Sequence, residues 1–273
     1  MTPEDLIVLK LGGSLLTDKS TPYKLREEVI KAVAVEIKEC IDLGLIKNLV
    51  IVHGVGSCGH HPVLKYNLHK GFRNKDQLIS MSKTQQIVNV FRKTIATTFL
   101  EEGIPINLMH ASSMVVGNKM VIANHSFSPL KGFLSLGMVP LIGGDMMFDT
   151  SMGFSVCGGD QLAVVLSREL HAKQLLFATD VPGVFDKDPK LGERAQLLRE
   201  ININEIEQLF NKTNETANDD ASGKMRGKLL SLISIKDQIQ EGLEVVILSM
   251  KQKGVLKNYL KGQESELTKI IYK

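Results

Sequence analysis

Apolar positions along the chain follow two rhythms. Leu6–Leu11, Asn48–His53, Met138–Ile142 and Gln174–Thr179 are short, nearly continuous apolar runs, each broken at once by glycine or aspartate. Runs of this kind predict strands buried on both faces of a sheet. Between them, residues 25–43 repeat Val29, Ala32, Val33, Ile37, Cys40 and Ile41 at helical spacing, and Gly44 closes the segment. Residues 76–102 carry a broad stripe of Leu78, Met81, Ile87, Val90, Phe91, Ile95, Phe99 and Leu100. That pattern predicts a long helix whose stripe is core, with Met81, Ile87 and Phe91 as candidates to wall a pocket. Residues 127–136, 162–170, 202–210 and 223 to about 241 read as further helices, and 104–109, 244–248 and 268–271 as further strands. Gly117-Asn118, flanked by short apolar runs, predicts a type I′ hairpin.

Strand, helix, strand over residues 6–53 is a βαβ unit, which requires a parallel sheet. The expectation is one α/β domain over 1–273, with a soft boundary near His171–Lys173 dividing lobes 1–172 and 173–273. Residues 211–222 are polar and aperiodic and predict a loop. No internal repeat is visible.

Composition narrows the function classes. With 273 residues there is ample chain for a large core, and a net charge of +3 gives no argument for nucleic acid or a membrane surface. No apolar run approaches the length of a membrane span. The N-terminus is too short and too acidic before its first strand for a signal peptide. Three cysteines, Cys40, Cys58 and Cys157, lack metal spacing and predict reduced thiols in a cytoplasmic protein. Aromatics are 5% with no Trp, so stacking platforms are scarce.

Candidate chemistry sits where strands end. The run 50–53 breaks into Gly54-Val55-Gly56-Ser57-Cys58-Gly59-His60. Glycines there let bare N–H groups approach an anion, and His60 can donate to one. Lys10 lies inside an apolar strand just before Gly12-Gly13, and a buried lysine is expensive unless it meets an anion or snorkels to water. Gly158-Gly159-Asp160 opens a helix, where Asp160 can serve as an N-cap beside an anion site. Asp180 heads a Pro-Gly loop at a strand end that also holds Asp188, which reads as plain turn. Gly223-Lys224-Met225-Arg226-Gly227-Lys228 puts three cations at a helix start, against the dipole, which is favourable only with an anion there. Lys19 alone reads as solvent charge. Walker-type, protein-kinase, zinc-spacing and serine-elbow motifs are absent. The inventory suits phosphoryl transfer, which needs positioning and charge neutralisation. An acceptor that is already an anion needs no general base, only donors to hold it.

With these residues in place, the chain resembles the amino acid kinase superfamily and, within it, the isopentenyl phosphate kinases. The resemblance spans nearly the whole length, in order: Lys10-Leu-Gly-Gly-Ser14 with Thr17 and Lys19, His53-Gly-Val-Gly-Ser-Cys-Gly-His60, Gly144-Asp145, Gly159-Asp160-Gln161, Thr179-Asp180-Val-Pro-Gly-Val184 and Gly223–Lys228. It implies a three-layer αβα sandwich around a mainly parallel sheet, a homodimer, and ATP with Mg2+. No side chain is assigned to the metal. It implies phosphorylation of isopentenyl phosphate, with 1–172 as phosphoacceptor lobe and 173–273 as nucleotide-binding lobe. Carried over by motif, Lys10, Lys19, His60 and Lys228 are catalytic. Val55, Gly59, His60 and Gly159 line the acceptor site. Lys10, Gly12, Gly13, Gly56, Gly223 and Lys228 lie by the ATP phosphates, and Asp180 by the nucleoside. Cys58 replaces a usual Phe, which is expected to alter the acceptor pocket, and Lys224 replaces a usual Gly. The rivals are a kinase of the same fold for another small anion, such as fosfomycin or another isoprenoid monophosphate, and a silent nucleotide sensor.

Overall fold

The computed structural model describes residues 4–18, 20–187, 195–211 and 222–273. Lys19 and Asp188, and most of the polar segment expected as a loop, lie outside the described residues, as does the side chain of Lys224.

Strand β1 (Leu6–Leu11) runs into a single helical turn, α1 (Gly13–Leu16), then α2 (Glu27–Asp42) and β2 (Asn48–His53). Helices α3 (Gly56–Lys65) and α4 (Gln77–Glu101) follow, then β3 (Ile106–Leu108), β4 (Val115–Asn118), β5 (Val121–His125), α5 (Ser128–Ser135) and β6 (Val139–Gly143). Strands β7 (Asp145–Asp149) and β8 (Gly153–Cys157) precede α6 (Gly159–Glu169) and β9 (Gln174–Thr179). A small hairpin, β10 (Val184–Phe185) and β11 (Leu197–Leu198), leads to β12 (Glu200–Asn202) and α7 (Ile206–Asn211). The chain ends with α8 (Ser222–Leu232), α9 (Lys236–Gln240), β13 (Glu244–Ser249), α10 (Val255–Leu260) and β14 (Leu267–Ile271).

Eight strands form one sheet in the order β12-β14-β13-β9-β1-β2-β6-β3. All neighbours pair in parallel except β13 with β14. Alternation along the central strands sends side chains to two separate cores. Leu6, Val8, Val50, Val52, Leu175, Phe177, Val245 and Ile247 pack with α5, α6 and α8. Ile7, Leu9, Leu49, Ile51, Leu176, Ala178, Val246 and Leu248 pack with α2, α4 and α10. Helices thus cover both faces, giving the three-layer α/β sandwich around a mainly parallel sheet. The division near residue 172 falls inside this sheet, between the neighbouring strands β1 and β9.

Several expectations need correction. The hairpin turns two residues later, at Lys119-Met120, both with positive φ (51° and 66°). Asp149 compensates that strain: its carboxylate accepts from the backbone N–H of Lys119 at 3.2 Å and of Met120 at 2.9 Å. The glycine-rich stretch after β2 coils into α3, because a tertiary partner replaces the missing local propensity. The Ser57 N–H donates to Thr17 Oγ1 at 3.0 Å. The stripe of α4 is narrower than expected: Leu78, Val90 and Leu100 are exposed, and the buried face is Thr84, Val88, Phe91, Arg92, Ile95 and Phe99. The long C-terminal helix breaks between α8 and α9 into a 3-10 turn, Ile233–Ile235.

Candidate active site

Parallel strands collect their carboxyl ends on one edge of the sheet, where open α/β folds hold ligands. Here the turns after β1, β2 and β6 are locked to neighbouring strand ends. The Gly12 N–H donates to the Ala178 carbonyl at 2.8 Å, Gly54 to Leu11 at 2.8 Å and Gly144 to His53 at 3.1 Å. Two glycines are sterically obligatory. A Cβ on Gly13 would stand 2.4 Å from the Gly56 nitrogen. A Cβ on Gly56, which has φ of +50°, would stand 2.1 Å from Thr17 Oγ1. Backbone therefore meets backbone at the starts of α1 and α3. Ser14 Oγ donates to Asp180 Oδ1 at 2.6 Å, tying the turn after β1 to the end of β9.

On the α6 face of the sheet, Lys10 and Lys228 converge on one carboxylate. Lys10 Nζ is 2.6 Å and Lys228 Nζ 3.0 Å from the same oxygen, Asp160 Oδ1. Both lysines are buried, and Lys228 Nζ also lies 4.3 Å from the Phe177 ring centroid. Lys10 therefore does not snorkel to water. Asp160 is not the N-cap of α6, a place taken by Gly158. Burial alone would raise the Asp160 carboxyl, but the two ammonium groups hold it well below the usual carboxylate range. Burial, helped by Lys10, pushes Lys228 down to about 8 against the opposing pull of Asp160. Two cations share one anion, so the cluster has a positive surplus that a bound polyanion would neutralise.

Val55, Gly59 and His60 line a cavity of about 220 Å³, with apolar walls from Val63, Leu64, Val88, Met120 and Val156. His60 lies at its exposed rim on α3. The helix α4 contributes Thr84, Gln85 and Val88; of the expected residues, Met81 lines a neighbouring apolar cavity of about 430 Å³, and Ile87 and Phe91 pack in the core. Gly159 is not among the lining residues. It abuts the His53 carbonyl and Gly54, where a Cβ would come within 3.0 Å of that oxygen. Cys58 is buried in the core on the α2 and α4 face and does not line the cavity, so the expected effect on the acceptor pocket is not direct. The Ser57 hydroxyl is buried without a hydrogen-bond partner among the described residues. Gly223 is in the first turn of α8, and Lys19 lies outside the described residues.

One group escaped the sequence reading. Arg92, on α4, is fully buried and offers five N–H groups to five acceptors. Its Nε donates to His53 Nε2 at 3.0 Å, Nη1 to Asn89 Oδ1 at 3.2 Å and His110 Nδ1 at 2.6 Å. Nη2 donates to the Gly144 carbonyl at 3.2 Å and Asp145 Oδ2 at 3.3 Å. Arginine only donates, so both imidazoles are neutral acceptors here. The His53 proton then sits on Nδ1, 3.3 Å from the Gly54 carbonyl. Burial and the guanidinium push His53 down to about 3 and lower His110 as well. The only sequence signal for Arg92 is a charge at a helical spacing of apolar residues, which periodicity discards as noise.

Comparison with known proteins agrees with this arrangement. The model of the Amino acid kinase family matches residues 5–249. An isopentenyl phosphate kinase of Methanothermobacter thermautotrophicus is 31% identical, over 97% of this chain and 98% of its own. One of Methanocaldococcus jannaschii is 32% identical, over 82% of this chain and 85% of its own. A solved isopentenyl phosphate kinase structure superposes with a TM-score of 0.81 at 28% identity, covering 97% of this chain and 99% of that one. With a parallel sheet whose carboxyl edge carries the glycine turns and a shared lysine cluster, the chain belongs to the amino acid kinase family and, within it, to the isopentenyl phosphate kinases.

Proposed function

We propose that this chain transfers the γ-phosphoryl group of ATP to isopentenyl phosphate, giving isopentenyl diphosphate and ADP. The observation that carries the reading is the Lys10–Asp160–Lys228 cluster, with its surplus positive charge, at the sheet edge that also holds the His60 cavity. In the transfer, an oxygen of the acceptor phosphate attacks the γ-phosphorus, and the bond from that phosphorus to the β,γ-bridging oxygen breaks. Lys10 and Lys228 hold the ATP phosphates and neutralise charge that spreads over them as the bond loosens. Gly12, Gly13, Gly56 and Gly223 bring bare backbone beside those phosphates, and Asp180 lies toward the nucleoside. Lys19, assigned through its motif, bridges donor and acceptor. His60 donates to the acceptor phosphate at the rim, and the apolar cavity behind it takes the isoprenoid tail with Val55 and Gly59 at its mouth. Gly159 supports this mouth through Gly54 rather than by lining it.

The donor set fits a nucleotide: two ammonium groups, glycines too crowded for any Cβ, and the orphaned Ser57 hydroxyl. Among the described residues no three His, Cys, Asp or Glu side chains gather as a metal site. Mg2+ therefore fits as an ion carried in by the phosphates, where it supplies further charge neutralisation. We assign a homodimeric, cytoplasmic enzyme, and no helix among the described residues is long and apolar enough to cross a membrane.

An acceptor panel with ATP tests the reading. Isopentenyl or dimethylallyl phosphate should turn over far faster than fosfomycin, glutamate or aspartate. Turnover confined to one of the latter would replace the substrate while keeping the fold, and ATP binding without turnover of any acceptor would favour a sensor.

A further inference from the structure

Arg92 reaches the cavity by two routes, neither through direct exposure. The first is backbone. His53 Nδ1–H meets the Gly54 carbonyl, and Arg92 Nη2 meets the Gly144 carbonyl. In a trans peptide the C=O and N–H point opposite ways, so holding the Gly54 carbonyl also aims the Val55 N–H. The two held glycines flank Val55: a Cβ on Gly144 would stand 3.0 Å from Val55 Cγ1. The His53 ring is itself wedged against Gly143, where a Cβ would fall 2.3 Å from Nε2. Arg92, His53 and Gly143 thus form one stack with no slack, ending on the peptide that begins the histidine helix α3.

The second route is charge. Asp145 lines the same cavity as Val55, Gly59 and His60. A bare carboxylate in that wall would repel an anionic acceptor. Arg92 Nη2 at 3.3 Å and Ser112 Oγ at 3.1 Å both donate to Asp145 Oδ2, while the Met146 N–H donates to Oδ1 at 2.8 Å. The guanidinium therefore cancels the charge of Asp145, the one carboxylate among the described residues that lines this cavity.

We infer that Arg92 is a positioning residue for the acceptor. It aims the Gly54–Val55 peptide through His53, fixes Gly144 directly, and neutralises Asp145 in the cavity wall. The inference rests on the reading of this cavity as the acceptor pocket. Lysine at 92 keeps the charge but loses the planar five-donor fork, whereas methionine loses both. Steady-state kinetics with isopentenyl phosphate and ATP varied in turn separate the cases. Arg92→Lys should raise KM for isopentenyl phosphate about tenfold and Arg92→Met about a hundredfold, with KM for ATP within about twofold of wild type. Removal of a fully buried arginine can prevent folding, so His110→Phe, at a half-buried position and with a ring that carries no nitrogen, supplies the second variant. It removes one of the five acceptors and should raise the acceptor KM severalfold while leaving that for ATP alone. In thermal melts, the same variants should lose stabilisation by isopentenyl phosphate and keep stabilisation by ATP. Equal rises in both KM values, or an unchanged acceptor KM in folded variants, would overturn the positioning role while wild-type turnover upholds the function. A wild-type protein with no turnover of isopentenyl phosphate would overturn both.

Discussion

Two buried charge clusters meet at Gly54, and they are built on opposite principles. In one, Lys10 and Lys228 lean on a single oxygen of Asp160. In the other, Arg92 spends all five donors on two neutral histidines, an amide, a carbonyl and Asp145. The Gly54 carbonyl is 3.3 Å from His53 Nδ1, and a Cβ on Gly54 would stand 3.5 Å from Lys10 Nζ. The lysine cluster is open, with a surplus charge that no protein anion in the cluster balances. The arginine cluster is closed, with charge balanced and every donor matched. An open cluster suits a group that arrives and leaves, and a closed one suits a scaffold that must not move.

Charge removal from the open cluster should have the largest effect. Lys10→Met is expected to lower kcat/KM by about a thousandfold in steady-state assays, while circular dichroism stays native, because the lost contact acts on transferring phosphate. A mild loss would mean that the surplus is structural. The aspartates sharpen the contrast next. Asp145→Asn strands a fully buried guanidinium and should cost about 3–5 kcal/mol of unfolding free energy, with no recovery on adding ATP. Asp160→Asn should also destabilise the ligand-free protein, but a saturating nucleotide should restore its melting temperature by supplying the missing anion. Rescue of both, or neither, would erase the distinction.

His60→Ala comes third. At an exposed rim its loss should raise KM for the acceptor about tenfold and leave ATP affinity nearly intact. The smallest effect concerns pH. Lys228, held down to about 8, is charged below that pH and neutral above it. ATP binding favours the charged form, so KM for ATP should climb a few-fold as pH rises through about 8 to 9. Lys228→Arg, with a charge that persists, should flatten that limb. A profile unchanged by the substitution would assign the limb to another group.

How much of this could be read in advance depended on whether the signal was local. Buried strands announce themselves because Val50-Ile51-Val52 has no polar face to show. The strand-end glycines and Lys10 were legible for a related reason: a lysine in an apolar run is costly, and the cost asks for a partner. The partner itself was not legible. Asp160 is 150 residues from Lys10, and its position after Gly158-Gly159 at a helix start suggested a helix cap instead. The helical state of 56–65 was also hidden, since Gly56 and Gly59 argue against helix and only Thr17, across the site, argues for it. Arg92 was the deepest miss, because hydrophobic spacing counts a buried guanidinium as an exposed one.

The Asp149 carboxylate shapes something beyond its own turn. It gathers the backbone N–H groups of Lys119, Met120, Ser151 and Met152 and the hydroxyls of Ser151 and Ser155. Met120 is also one wall of the cavity lined by His60. The left-handed kink is thus guaranteed from beneath, not by the identity of the residue that makes it. Unbranched side chains at position 120 should therefore keep the hairpin while they reshape the wall of the His60 cavity, whereas a β-branched residue there would strain the left-handed backbone.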